Sequence, residues 1–223
     1  MSASTDLPSG DELARLLEHP AIWRGRSAAR RVEVLPTGYA ALDACLPGGG
    51  WPRTGLIEIL VPRFGVGEIY LLLPALAALT RRPAARWCVW VTPPLEPYAP
   101  ALTAHGAALE RMLVVRAPAG RSVVPEVLWA FEQTLGSGAS DMALAWAARS
   151  PRPRGIRRLH LAAERGKTLG VLFRPRRAAE ESSAAILRLA VESQPSGARV
   201  TFLKSRGGAR GALELSWRTP GVG

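Results

Sequence analysis

Hydrophobic residues along the chain fall into short solid runs separated by stretches with a helical period. Leu56-Ile57-Glu58-Ile59-Leu60, Trp87-Cys88-Val89-Trp90-Val91, Met112-Leu113-Val114-Val115, Met142-Ala143-Leu144-Ala145-Trp146 and Thr168-Leu169-Gly170-Val171-Leu172-Phe173 read as strands. Near-continuous apolar runs are expected of parallel strands covered on both faces. Between them, residues 68–79, 100–109, 124–136 and 156–165 read as helices, with Val127, Leu128, Phe131 and Leu135 sharing one face of the third. A further strand is expected at 186–191. Residues 199–206 and 212–217 then flank a glycine-rich loop, which signals a β-hairpin. This order predicts an α/β fold, a central sheet mostly parallel with flanking helices and a C-terminal antiparallel hairpin.

Residues 1–31 stand apart from that pattern. Ser9 and Glu12 form a capping-box signature, and Leu13, Leu16 and Leu17 follow at helical spacing, which predicts a short N-terminal helix over about 10–18. A basic linker leads from it into a main domain over 32–223. No internal repeats are present.

The chain is organised around the stretch from Leu60 to Leu71. Strand, glycine-containing turn and helix succeed one another there, as in a phosphate-binding loop of the pattern G-x-x-x-x-G-K-[ST]. Such a loop needs backbone N–H groups, a lysine for the phosphates and a hydroxyl for Mg²⁺. Pro62 stands at the first glycine, Gly67 at the second, Glu68 at the lysine and Ile69 at the hydroxyl; Gly65 lies between. Pro62 has no N–H, Glu68 repels phosphate and Ile69 binds no metal. The loop is therefore expected to be degenerate, with no cofactor and no ATPase activity.

Charge adds a second theme. Lys and Arg number 29 against 18 Asp and Glu, a net charge of +11, and only Lys167 and Lys204 are lysines. An excess of this size points to nucleic acid or an acidic protein surface. It concentrates between Arg149 and Arg177, where ten basic residues face one acid, Glu164. Proline-stiffened arginine loops suit phosphate contacts, because a guanidinium binds phosphate in bidentate fashion and a stiff loop loses little entropy. Candidates for nucleic-acid or acidic-partner contact are Arg149, Arg152, Arg154, Arg174, Arg176 and Arg177. Cys45 and Cys88 are too few for a disulfide framework or a zinc site. The first residues carry no signal-peptide pattern and no apolar run is long enough to span a membrane, so a cytoplasmic protein is expected.

The order of elements resembles the RecA-like core over residues 32–217. Within it, Trp23-Arg24-Gly25, Leu35-Pro-Thr-Gly38, Gly48-Gly-Gly-Trp-Pro-Arg53, Gly65-x-Gly67-Glu68 and Pro97-Tyr98-Ala99-Pro100 resemble the ImuA family. Leu128-Trp129 with Glu132-Gln133, Leu172-Phe-Arg-Pro175 and Leu203-Lys-x-Arg-Gly-Gly208 add to the likeness. That resemblance implies an accessory role in error-prone translesion DNA synthesis during the SOS response. Its implied partners are an ImuB-like inactive polymerase homologue, an error-prone replicative-type polymerase, RecA and DNA. Active RecA-like ATPases carry a water-positioning acid after the second central strand, where this chain has Pro93-Pro94, with Glu96 beyond. They carry a metal-ordering acid where it has Trp146. Their DNA-binding loops correspond to the two arginine loops, and Lys204 and Arg206 fall on a strand that meets a neighbouring subunit. Trp23 and Trp217, near the ends, are candidate exposed anchors for a partner. Two alternatives remain open: a divergent RecA-like ATPase acting on single-stranded DNA, and a SulA-like cell-division inhibitor.

Overall fold

In a computed structural model, residues 33–116, 123–149, 151–205, 207–208 and 210–217 are described. The expected N-terminal helix therefore lies outside the described residues, as do Trp23 and Arg206. Two short strands, β1 (Val34–Leu35) and β2 (Trp51–Pro52), pair antiparallel around α1 (Ala40–Asp43). The main sheet begins with β3 (Gly55–Val61), followed by a 3₁₀ turn (Glu68–Leu71) and α2 (Leu73–Arg81). Then come β4 (Trp87–Val91), α3 (Ala99–Ala104), β5 (Met112–Val115), α4 (Val123–Gly136), β6 (Ser140–Trp146), α5 (Pro153–Gly166) and β7 (Leu169–Pro175). A 3₁₀ turn (Arg176–Glu180) leads to β8 (Leu187–Gln194), β9 (Gly197–Ser205) and β10 (Gly211–Ser216). The eight-stranded sheet runs β10-β9-β8-β3-β7-β6-β4-β5. From β8 to β5 every pairing is parallel, and the β8–β9 and β9–β10 pairings are antiparallel. The mixed α/β architecture expected from the apolar runs is the one observed.

The two-residue period of β3 divides the core. Ile57, Ile59 and Val61 join one apolar cluster with Leu72, Leu76 and Leu79 around α2, whereas Leu56 joins the other, with Phe131 and Leu135 of α4 and Ile156 and Leu159 of α5. Helices thus cover both faces. α4 and α5 pack closely enough that a Cβ on Gly166 would lie 2.0 Å from the Leu135 carbonyl oxygen. α5 ends with Lys167 in the left-handed region, the Lys167 and Thr168 N–H groups donating to the Glu164 and Ala163 carbonyls at 3.2 and 3.0 Å.

Three expectations are corrected. The helix expected over 68–79 breaks into a 3₁₀ turn and α2, because Pro74 enters the first turn of the α-helix and provides no N–H to extend it backward. Strand β5 is not buried on both faces: it is the sheet edge, and Leu113 and Val114 are exposed. Strand β7 runs on to Pro175, so Arg174 belongs to the sheet and not to a loop.

Glu58 of β3 is fully buried and holds two arginines from its neighbouring strands. Arg174 of β7 donates to its Oε1 at 2.9 Å and Arg188 of β8, its register partner, donates to Oε2 at 2.7 Å. Arg188 also donates to the carbonyls of Ala178 and Glu181 at 2.6 and 3.0 Å, which fixes the 3₁₀ turn over this face. At the other end of the sheet, Asp141 starts β6 with a fully buried carboxylate. Arg86 donates to it from its backbone N–H at 2.8 Å and from Nε at 3.0 Å, and Arg82 pairs with it too. Burial alone would raise this carboxyl; the Arg86 N–H and the two guanidinium groups outweigh that and hold it below the ordinary value. Nearby Cys88 has a thiol pushed up to about 12 by burial and by the Asp141 charge. No helix among the described residues is long and apolar enough to cross a membrane.

Two predictions follow from these clusters. Glu58→Gln leaves the buried Arg188 guanidinium without a counter-charge and Arg174 with Glu181 alone, and lowers unfolding free energy by about 3–5 kcal/mol in urea titrations. For Asp141 the folded pKa is depressed, so its stabilisation is present above the unfolded value of about 3.9 and fades as pH falls through the folded one. Asp141→Asn is expected to be less stable at neutral pH and to show a flatter loss of stability below about pH 4 than the parent, in melts recorded across that range.

Candidate functional site

The loop between β3 and α2 folds around its own side chain. Gly65 and Gly67 take φ values of +80° and +94°, a region open to glycine at no steric cost, and Gly67 sets the turn that aims Glu68 inward. Glu68 is buried. Its Oε1 accepts the Gly65 N–H at 2.9 Å, its Oε2 accepts the Val66 N–H at 2.9 Å, and Trp146 Nε1 approaches Oε1 at 3.4 Å. The Ser193 hydroxyl of β8 donates to the Val66 carbonyl and ties the loop to the sheet. Consecutive N–H groups converging on one point form an anion nest. Here the anion is supplied by the residue three positions along. The expected repulsion between Glu68 and phosphate is joined by a second obstacle, since the Gly65 and Val66 amides are engaged by that carboxylate. Pro62 is exposed and Ile69 packs against the core.

Aromatic residues occupy the floor beneath this loop. Phe173 of β7 stacks on Trp146 of β6 with ring centroids 4.9 Å apart, and Trp90 of β4 lies 5.7 Å from Trp146. Trp146 and Phe173 are register partners at the carboxyl ends of their strands, where parallel sheets bind ligands. A cavity of about 280 Å³ opens beside Glu68 and is walled by Tyr70, Trp90, Leu95, Tyr98, His105 and Trp146. Leu95 and Tyr98 stand 64% and 70% exposed at its rim, far above what core packing leaves for such side chains. Glu96, on the same segment, is exposed and pairs with Arg116. The chemistry of this place suits apolar contact: its walls are flat, the Glu68 carboxylate is held by backbone N–H groups, Glu96 is paired with Arg116, and the lining residues include no lysine or arginine.

The arginine candidates divide. Arg149, Arg152, Arg154 and Arg177 are exposed. Arg177 Nη2 donates to the Ala148 carbonyl at 2.8 Å, which brings the segment after β7 against the segment after β6. Arg176 is half-buried and lies 3.7 Å from Glu192. Arg174 is corrected outright: it has no exposed surface, and its guanidinium is committed to Glu58 and Glu181, so it reaches no phosphate. Lys204 Nζ donates to the Ser183 carbonyl at 2.8 Å. Trp217 is not an exposed anchor. It is partly buried, stacks on Tyr70 at 5.6 Å and meets Tyr39 edge-on at 6.2 Å, while the Tyr39 hydroxyl donates to the Tyr70 carbonyl at 2.9 Å.

Sequence reasoning missed the cavity. Its wall-forming segment Pro93-Pro94-Leu95-Glu96-Pro97-Tyr98 reads as a strand-stopping proline turn, and only the pairing of large apolar side chains with prolines hinted at a built surface. It also gave no sign that Trp129 of α4 is 63% exposed. The apolar face of that helix is complete without it, because Val127, Phe131 and Leu135 already fill the contact.

No protein-family model matches the chain, and no curated protein sequence matches it. Among solved structures, SulA from Pseudomonas aeruginosa is similar at 24% identity and a TM-score of 0.43, over 53% of this chain and 97% of that one.

The internal anion has a measurable signature. Glu68→Ala vacates the nest, leaves the Gly65 and Val66 amides unpaired and lowers stability by about 1–3 kcal/mol. Added sulfate is expected to raise the melting temperature of that variant well above its effect on the parent; equal shifts in both would show that the amides are not an anion nest.

Proposed function

We propose that this chain is a non-hydrolysing RecA-like accessory subunit of an error-prone translesion synthesis complex in the DNA-damage response. In this reading it joins an ImuB-like inactive polymerase homologue to DNA or to RecA. The observation that carries it is the seating of Glu68 in the loop that would otherwise cradle phosphate, with both oxygens held by backbone N–H groups. Trp146 at the end of β6, where the resemblance implies a metal-ordering acid, supports the same conclusion. A polyphosphate would have to displace a covalently attached carboxylate and then face it as a like charge. The motifs shared with the ImuA family supply the translesion context. The exposed arginines after β6 and at the 3₁₀ turn after β7 give a basic edge suited to phosphate or acidic contacts.

Calorimetric titration with ATP and Mg²⁺, combined with a hydrolysis assay on the same sample, tests the non-hydrolysing half. No heat and no turnover are expected, and turnover would establish the divergent ATPase instead. Co-purification with the ImuB-like polymerase homologue tests the other half. A chain that leaves that partner unbound but arrests assembly of the division tubulin belongs to the SulA-like class.

A further inference from the structure

Away from the loop between β3 and α2, the outer face of α4 and α5 carries a combination of groups that the fold does not require, and of which the proposed function uses only Arg152 and Arg154. Arg154, Arg158, Leu161 and Arg165 follow one another at i, i+4, i+7 and i+11 on α5, and all four are exposed. That spacing makes one stripe. The stripe runs beside α4: Arg158 Nε donates to Glu132 at 3.1 Å, and the Arg165 guanidinium lies against Gly136. Between the helices opens a crevice of about 230 Å³, with Pro125, Leu128, Trp129 and Leu159 as apolar walls and the Glu132–Arg158 pair at its rim. Trp129 stands over it, an indole left in water although the apolar face of α4 is already satisfied. Among the described residues, no carboxylate pairs with Arg152, Arg154 or Arg157. Three of these cations, at positions 152, 154 and 157, also sit at the positive end of the α5 dipole, where positive charge is disfavoured unless an anion offsets it.

From the charge and shape of this face we infer that it docks an acidic amphipathic segment of another protein, anchored by one large apolar side chain in the Trp129 crevice. Carboxylates on the partner match the arginine stripe, and the crevice is sized for a side chain. Exposed aromatics and arginines flanking a desolvated pocket are the residues that dominate binding energy at interfaces. A nucleic-acid track is the less favoured occupant, because the crevice walls Pro125, Leu128 and Leu159 fit an apolar side chain, and among the lining residues Trp129 alone gives a base a ring to stack on. The assignment holds whether or not the translesion reading does.

Fluorescence anisotropy with three labelled probes separates the occupants: an acidic helical peptide with a leucine- and phenylalanine-bearing face, the same peptide with those residues replaced by alanine, and a single-stranded oligothymidine. The amphipathic peptide is expected to bind the full chain, and the alanine version at least about tenfold more weakly. Trp129→Ala is expected to weaken the amphipathic peptide by about tenfold or more, with Trp129→Phe retaining most of the affinity. Arg154→Glu with Arg165→Glu should abolish most of the salt dependence. Unchanged thermal melts confirm that these surface variants fold. Equal binding of both peptides, indifference to Trp129→Ala, or no peptide binding at all overturns the inference. So does oligothymidine binding that is lost in Trp129→Ala, which would make the face a nucleic-acid surface.

Discussion

The fold depends on a carboxylate at the centre of its sheet. Glu58 sits in the middle of the central strand, and its two oxygens are engaged by Arg174 on one neighbouring strand and Arg188 on the other. Burying three charged groups is unfavourable unless each is paired and hydrogen-bonded. The geometry meets that condition: both carboxylate oxygens are used, and Arg188 spends its remaining donors on carbonyls of the turn that caps it. Strand register is thereby fixed, since a slip of one residue would turn Arg188 to the opposite face and leave Glu58 without it. Everything at the carboxyl edge of the sheet hangs from strands aligned in this way.

At that edge, the turn between β3 and α2 has the path of a phosphate-binding loop with side chains of a different kind. The backbone of the β3–α2 turn still presents converging N–H groups, because glycine conformations and the strand-to-helix path are set by the fold. What differs is the nature of the nearby side chains. A carboxylate takes the place of a cation and bonds inward, and tryptophan and phenylalanine rings tile the strand ends. The region presents apolar surface, and the exposed Leu95 and Tyr98 belong to it.

Most of the architecture was legible in the sequence. Solid apolar runs report strands covered on both faces, and their order with the intervening helices leaves few ways to build a sheet. The departures from the phosphate-loop pattern at Pro62, Glu68 and Ile69 were readable too. Where Glu68 points was not, because a side chain that returns to its own backbone leaves no trace in spacing. Arg174 illustrates the opposite difficulty. Arginine beside proline looks like a loop, and only a partner 116 positions away, Glu58, explains why it lies in the core. The β5 run reads as buried because composition cannot distinguish a central strand from an edge. Trp217 looked terminal and free, yet its rings are claimed by Tyr70 and Tyr39, residues remote in sequence.

A nest filled by the chain's own carboxylate behaves differently under mass action from one filled by a ligand. A loop that waits for a nucleotide gains stability only in proportion to the logarithm of how far that nucleotide exceeds its dissociation constant. Glu68 is tethered two or three residues from the amides it satisfies, so its effective concentration is set by the covalent chain and is unaffected by dilution. The two hydrogen bonds that close the turn are made within the chain, so they do not depend on the concentration of any solute that has to bind first.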